Sequence, residues 1–241
     1  MNIVAIIQAR MGSTRLPGKV LMDLAGETVL ARVVARVRRC RLVNQIVVAT
    51  SLHPQDDAIV AECGRLGISA FRGSELDVLD RYYNAAQAAN AEVIARITSD
   101  CPLLDPGVTD FTIQSFLDAR PDYASNALER NYPRGLDTEV MTFAALSCAW
   151  QEARQPAQRE HVTPFLYQHP ERFNLLAVKG DRDYSEYRWT LDTPEDLAFI
   201  RAVYSRLSAN PHFSWHDVLH ILELEPELAV INQHVGQKAL G

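Results

Sequence analysis

Three short segments carry the side chains able to do chemistry. The first, Gln8-Ala9-Arg10-Met11-Gly12-Ser13-Thr14-Arg15-Leu16-Pro17-Gly18-Lys19, gathers three positive charges, two hydroxyls and two glycines. Glycines allow tight backbone turns, amides and hydroxyls donate to phosphate oxygens, and Arg10, Arg15 and Lys19 supply charge, so the set suits a polyphosphate. It is not a P-loop: five residues separate Gly12 from Gly18, and Val20 stands where a magnesium-binding Ser or Thr belongs. G-x-G-x-x-G is also absent, which excludes a dinucleotide fingerprint. The second segment is Thr98-Ser99-Asp100-Cys101-Pro102-Leu103-Leu104-Asp105. Asp100, fixed by the nearby proline, can hold a hard cation such as Mg²⁺, or can cap a turn. The third, Trp189-Thr190-Leu191-Asp192-Thr193-Pro194-Glu195-Asp196, offers further carboxylates that a metal or merely a helix dipole could use.

These segments need a scaffold, and hydrophobic patterning supplies one. Ile3-Val4-Ala5-Ile6-Ile7 is the continuous apolar run of a parallel strand covered on both faces. Val29, Leu30, Val33, Val34 and Val37 recur at helical spacing, with Arg32, Arg36, Arg38 and Arg39 expected on the opposite face. Strands are predicted at 45–50, 68–71 and 92–98 and helices at 56–66 and 76–89. This alternation specifies β-α-β units and a doubly wound, mostly parallel α/β sheet. In such sheets ligands sit at the carboxyl ends of the strands, where the first two segments fall. From about residue 121 to 180 the alternation weakens, and an inserted antiparallel subregion is expected, with strands at 123–126, 138–142, 173–178 and 187–191 and helices at 143–152 and 161–167. Thr193, Pro194 and two following acids open a helix, and a further helix runs from Ser214 to about Leu224. One domain spanning 1–241 is expected, because no linker or internal repeat divides the chain.

The chain has 241 residues, 47% of them hydrophobic, with 24 basic and 30 acidic side chains. The net charge of −6 argues against a nucleic-acid surface, which needs basic excess. No stretch is apolar enough to span a membrane and no basic leader precedes the first apolar run, so a cytoplasmic location is expected. Cys40, Cys63, Cys101 and Cys148 are scattered without a C-x-x-C pair and are read as reduced, buried small hydrophobes. His212, His216 and His220 repeat every four residues, but Pro211 and Ser214 place the first outside the helix, so a solvated face is preferred to a zinc site.

The stretch Ile6 to Leu21 resembles the signature of cytidylyltransferases that activate acidic sugars, especially the subgroup named for spore coat polysaccharide biosynthesis protein F, with the CMP-Kdo and CMP-sialic acid synthetases as relatives. The resemblance implies a nucleotide-diphospho-sugar transferase fold, related to the Rossmann fold, and a Mg²⁺-dependent transfer of CMP from CTP to an acidic sugar or sugar-like acceptor. Gln8 departs from the proline usual at that point in the Kdo and sialic acid enzymes. Ala9, Arg10, Gly12, Ser13, Arg15 and Lys19 are expected to hold the nucleotide, with Lys19 and Arg10 neutralising the reacting phosphates. Asp100 matches the metal ligand of the family's Asp-x-Pro-Leu motif and is counted as catalytic, and Asp192 matches the second metal ligand. Asp105 and Asp196 are read as helix caps and helix dressing. Pro133 to Val140 matches a substrate-pocket stretch, placing Asp137 and Glu139 on one side of a strand edge by period-two alternation. Arg159 and His161, in a further matching stretch, are expected to meet an acceptor carboxylate or phosphate. Arg72 and Ser74, at the end of the third strand, are expected to face the base. A homodimer built through residues 121–180 is also implied. Transferases using another nucleotide, and a non-catalytic nucleotide-binding module of the same fold, are the rival readings.

Overall fold

The computed structural model describes residues 1–237. In chain order the elements are β1 (Ile3–Gln8), a small hairpin β2 (Asp23–Leu24) and β3 (Glu27–Thr28), α1 (Val29–Val37), β4 (Gln45–Ser51), α2 (Asp57–Leu66), β5 (Ser69–Gly73), α3 (Val78–Ala88), β6 (Val93–Thr98) and α4 (Pro106–Ala119). There follow β7 (Tyr123–Ser125), β8 (Glu139–Thr142), α5 (Phe143–Glu152), α6 (Pro156–His161), α7 (Pro164–Tyr167), β9 (Leu175–Ala177), α8 (Pro194–Arg206), α9 (Trp215–Leu224) and α10 (Glu227–Gln233). Seven strands form one sheet in the order β5-β4-β1-β6-β8-β7-β9. β5, β4, β1 and β6 are parallel, β8 runs antiparallel to β6 and β7, and β9 is parallel to β7. The segment expected as an antiparallel excursion thus extends the same sheet.

The apolar run of β1 is explained by its central place between β4 and β6. Ile3, Ala5 and Ile7 point to the face covered by α1, α2 and α4, whereas Val4 and Ile6 meet α3, α5 and α7 on the other. Both faces must therefore be apolar, unlike an antiparallel strand wetted on one side. A third core lies under the C-terminal helices, where Trp189, Phe199, Val203, Phe213 and Val218 pack together. Helix starts follow local capping chemistry: Thr28, Thr142, Thr193 and Ser214 each accept an amide of the first turn, and Asp105 accepts from Gly107 and Val108.

Four expectations are corrected. Residues 187–191 do not form a ladder strand; only the bridge Arg134–Arg188 forms, because Trp189 N donates to Arg134 O and Leu191 N to Asp100 O, both in loops. The helix predicted at 161–167 is instead the last residue of α6, which began at Pro156, a break at Val162, whose φ is +73°, and α7 restarting at Pro164, which has no amide to give the preceding turn. Arg36 is not on a solvent face. It is 4% exposed, donates to Leu104 O and Phe213 O, and lies 4.0 Å from the Phe213 ring centroid, tying α1 to the third core. Asp196 is more than helix dressing, being wholly buried in the network described below. Helix α10 had no counterpart in the sequence pattern.

Candidate active site

The loop after β1 is folded back on itself before it reaches Lys19. Met11 O accepts from both Ser13 N and Gly18 N, and Met11 N donates to Asp56 Oδ1 at 2.8 Å. Asp56 is 2% exposed and also accepts from Thr50 Oγ1, Ser51 N and Ser51 Oγ, so the end of β4 anchors the loop. Burial opposes the Asp56 charge, yet those donors hold its carboxyl below the usual range. Gly18 has φ +70°, a conformation glycine adopts without a Cβ penalty, and this turn directs Lys19 inward.

Lys19 Nζ is held by three oxygens: Leu191 O at 2.6 Å, Asp192 Oδ1 at 2.9 Å and Asp100 Oδ2 at 3.1 Å. Burial would lower the lysine's pKa, but the two carboxylates outweigh it and raise it. Burial likewise opposes the charge of Asp100, and Lys19 offsets this, keeping the carboxyl below its ordinary value. Asp100 reaches the site from the end of β6, and Asp192 from the segment before α8. The two meet only through the fold, aided by the Leu191 N to Asp100 O bond. Arg15 and Arg188 both contact Asp192 Oδ2, at 2.8 and 2.9 Å. Behind them, Arg188 grips both oxygens of Asp196, Asp196 Oδ2 accepts the amides of Asp192 and Thr193, and Asn232 of α10 donates to Asp196 and to Arg188 O. Lys19 and Arg15, expected on phosphate, and Asp100 and Asp192, expected on metal, therefore neutralise one another.

A cavity of about 420 Å³ opens over this cluster, lined by Gln8, Arg10, Ser13, Thr14, Arg15, Lys19, Asp100, Arg134 and Asp192 among others. A second, of about 380 Å³, is lined by Tyr123, Leu128, Glu139, Thr163 and Tyr167. Arg96, Thr98, Asp137 and His161 line both. Each falls within the range of roughly 300–1,000 Å³ common for small-molecule sites. Asp137 pairs with Arg130 at this junction. Glu139 floors the second cavity, accepting from Tyr123 Oη at 2.5 Å, Thr163 Oγ1 at 2.6 Å and the Arg96 guanidinium. Burial disfavours its charge, and Arg96 with the two hydroxyls holds its carboxyl below the usual range nonetheless.

Five other residues expected in the site, Ala9, Gly12, Arg72, Ser74 and Arg159, line neither cavity. Arg72 binds Asp57, Ser51 O and His53 O on the outer side of β5 and lines neither cavity. Ser74 Oγ accepts Asp77 N before α3. Arg159 turns outward to Asp77 and Trp150 O, because α6 presents it to the α3–α5 surface. Ala9 is buried and gives its amide to Ala49 O, extending the sheet. Sequence reading missed Arg96, Arg134, Arg188, Asp56 and Asn232. For Arg96 a signal existed: a charge inside Val-Ile-Ala-Arg-Ile, at a position where strand alternation places an apolar side chain. No group of three or more His, Cys, Asp or Glu able to hold a metal occurs among the described residues.

A parallel sheet with a cationic loop at its carboxyl edge, facing carboxylates from two other segments, is the arrangement of nucleotidyltransferases. The fold is shared with a cytidylyltransferase from Leptospira borgpetersenii serovar Hardjo-bovis, at TM-score 0.92 and 32% identity over 99% of this chain and 100% of that one. It is also shared with a CMP:2-keto-3-deoxy-manno-octonic acid synthetase complexed with CTP, at TM-score 0.67 and 19% identity, over 86% and 99% of the two chains. Residues 4–221 match the cytidylyltransferase family, and the chain belongs to it. Similar along nearly their whole lengths are an uncharacterized protein of Methanocaldococcus jannaschii (37% identity; 99% of this chain, 98% of that one) and the spore coat polysaccharide biosynthesis protein SpsF of Bacillus subtilis (36%; 95% and 97%).

Proposed function

We propose that this protein transfers CMP from CTP to a hydroxyl of an acidic sugar or sugar-like acceptor, with release of pyrophosphate, for glycan synthesis. The observation carrying this reading is the meeting of Lys19, Asp100 and Asp192 beneath a loop that also brings Arg10 and Arg15 to the same cavity. In the in-line reaction the acceptor hydroxyl gives up its proton to solvent and its oxygen bonds to the α-phosphorus as the bond to the β-phosphate oxygen breaks, releasing pyrophosphate. Charge grows on the non-bridging and leaving oxygens, so positioning and electrostatic stabilisation dominate. Lys19 and Arg10 would face the α-phosphate and the departing pyrophosphate, with Arg15 assisting and the cavity-lining hydroxyls of Ser13 and Thr14 donating to phosphate. Triphosphate binding gives Lys19 and Arg15 anionic partners other than Asp100 and Asp192.

Magnesium fits the donor chemistry here: Asp100 and Asp192 offer hard carboxylate oxygens, and this ion commonly takes one or two of them beside substrate phosphates. When bound it supplies charge neutralisation at the phosphates and lowers the pKa of a coordinated hydroxyl. The second cavity, with Asp137, Glu139 and His161 on its walls, would seat the acceptor. Asp100→Ala is expected to cut Mg²⁺-dependent pyrophosphate release from CTP by at least about a hundredfold. Near-normal turnover in that variant would remove Asp100 from the metal site.

A further inference from the structure

Nearly every cation around the two cavities already has a carboxylate. Lys19 and Arg15 pair with Asp100 and Asp192, Arg96 with Glu139, Arg130 with Asp137, and Arg188 with Asp192 and Asp196. Arg159, expected at the acceptor, faces outward. Arg10 and Arg134 differ: both line the first cavity, and among the described residues neither guanidinium makes a hydrogen bond or ion pair, but Arg10 belongs to the loop already assigned to the triphosphate, which leaves Arg134. The backbone of Arg134 is nevertheless rigidly placed. Arg134 N donates to Tyr187 O at 3.0 Å and Trp189 N to Arg134 O at 2.7 Å. Gly135, at φ +110°, lies so close to the Trp189 backbone that a Cβ would stand 2.6 Å from its carbonyl carbon.

Arg134 shares the lining of the first cavity with Asp192 and with Asp137, which also lines the second. Burial above all, with Arg130 and Arg188, outweighs the favourable Asp137 and Asp192 and disfavours the Arg134 charge, so an arriving anion would stabilise it. The phosphate loop brings its own cations. Resting on the reading of the second cavity as the acceptor site, we propose that Arg134 is a specificity-determining residue that receives an anionic group, carboxylate or phosphate, carried by the acceptor beside its attacking hydroxyl. A planar guanidinium suits either anion through paired N–H donors.

The test compares wild type with Arg134→Gln and Arg134→Lys by calorimetry and thermal shift at constant ionic strength. CTP affinity should stay within about twofold in both variants. With CTP bound, lactate or inorganic phosphate, used as small-anion probes, should stabilise the wild type, with apparent affinity at least about tenfold weaker in Arg134→Gln and partly restored in Arg134→Lys. A response to lactate alone identifies a carboxylate acceptor, and a response to phosphate alone a phosphorylated one. Equal anion effects in wild type and Arg134→Gln, or none in either, would overturn the assignment while leaving the CTP reading intact. A tenfold loss of CTP affinity in Arg134→Gln would overturn it by placing the guanidinium on the nucleotide. Failure of the wild type to bind CTP would sink the functional reading as well.

Discussion

At the scale of single residues, the site is an arrangement of compensated charges. Lys19 bridges two carboxylates that come from positions 81 and 173 residues away along the chain. Glu139 shows the same economy in the second cavity, with one carboxylate satisfied by Arg96, Tyr123 and Thr163. This has a pH consequence. The folded pKa of Glu139 lies below the unperturbed value of 4.5, so its contribution to stability is full above that value and is lost as pH falls from there through the folded pKa. Denaturant titrations should show stability dropping as the medium is acidified from about pH 5. Glu139→Gln should flatten that slope; an unchanged slope would show that Glu139 does not contribute to it.

At the scale of elements, the capped starts of α4, α8 and α9 were readable in the sequence because capping uses residues only a few positions apart. The segment 187–191 was not, since its alternating apolar pattern gives no indication of which backbone will accept its amides. Its partner is the loop 131–138, and the contact depends on Gly135. Gly135→Ala would force a side chain into φ +110° and push a Cβ to 2.6 Å from the Trp189 backbone. We expect a loss of more than about 3 kcal/mol by chemical denaturation, because backbone strain and overpacking add at one position. A loss below about 1 kcal/mol would show that the 131–138 loop gives way cheaply. Helix α10 escaped notice for a related reason. Glu227–Gln233 is short, and its main polar contribution, Asn232 to Asp196 and Arg188, joins residues 36 and 44 positions apart.

At the scale of the whole molecule, a net charge of −6 coexists with a site for a polyanion because the basic residues of the loop are local and the acids are distributed. No helix among the described residues is long and apolar enough to cross a membrane. Whole-protein stability reports ligand choice directly. Among the four common ribonucleoside triphosphates with Mg²⁺, CTP is expected to give the largest thermal shift, equivalent to about 2.7 kcal/mol at a hundred times its dissociation constant. Equal shifts with all four would favour a transferase with another or no base preference.

Residue type and short-range spacing were enough for the doubly wound sheet and for the cationic loop after β1, because strand burial and turn chemistry are local; Asp100 and Asp192 read locally as turn or helix-start carboxylates as readily as metal ligands, and only the family resemblance chose between the two. Only the tertiary structure decided who pairs with whom. Arg72 and Arg159 left the site since local motifs do not fix which way a long side chain turns. Arg36 left the surface because a partner 177 residues distant offered it an aromatic face and a carbonyl. Arg96, Arg134 and Arg188 entered the site for the same reason: a charge can be buried or poised only where distant segments supply its counter-charge or withhold it, and contacts of that range belong to the fold.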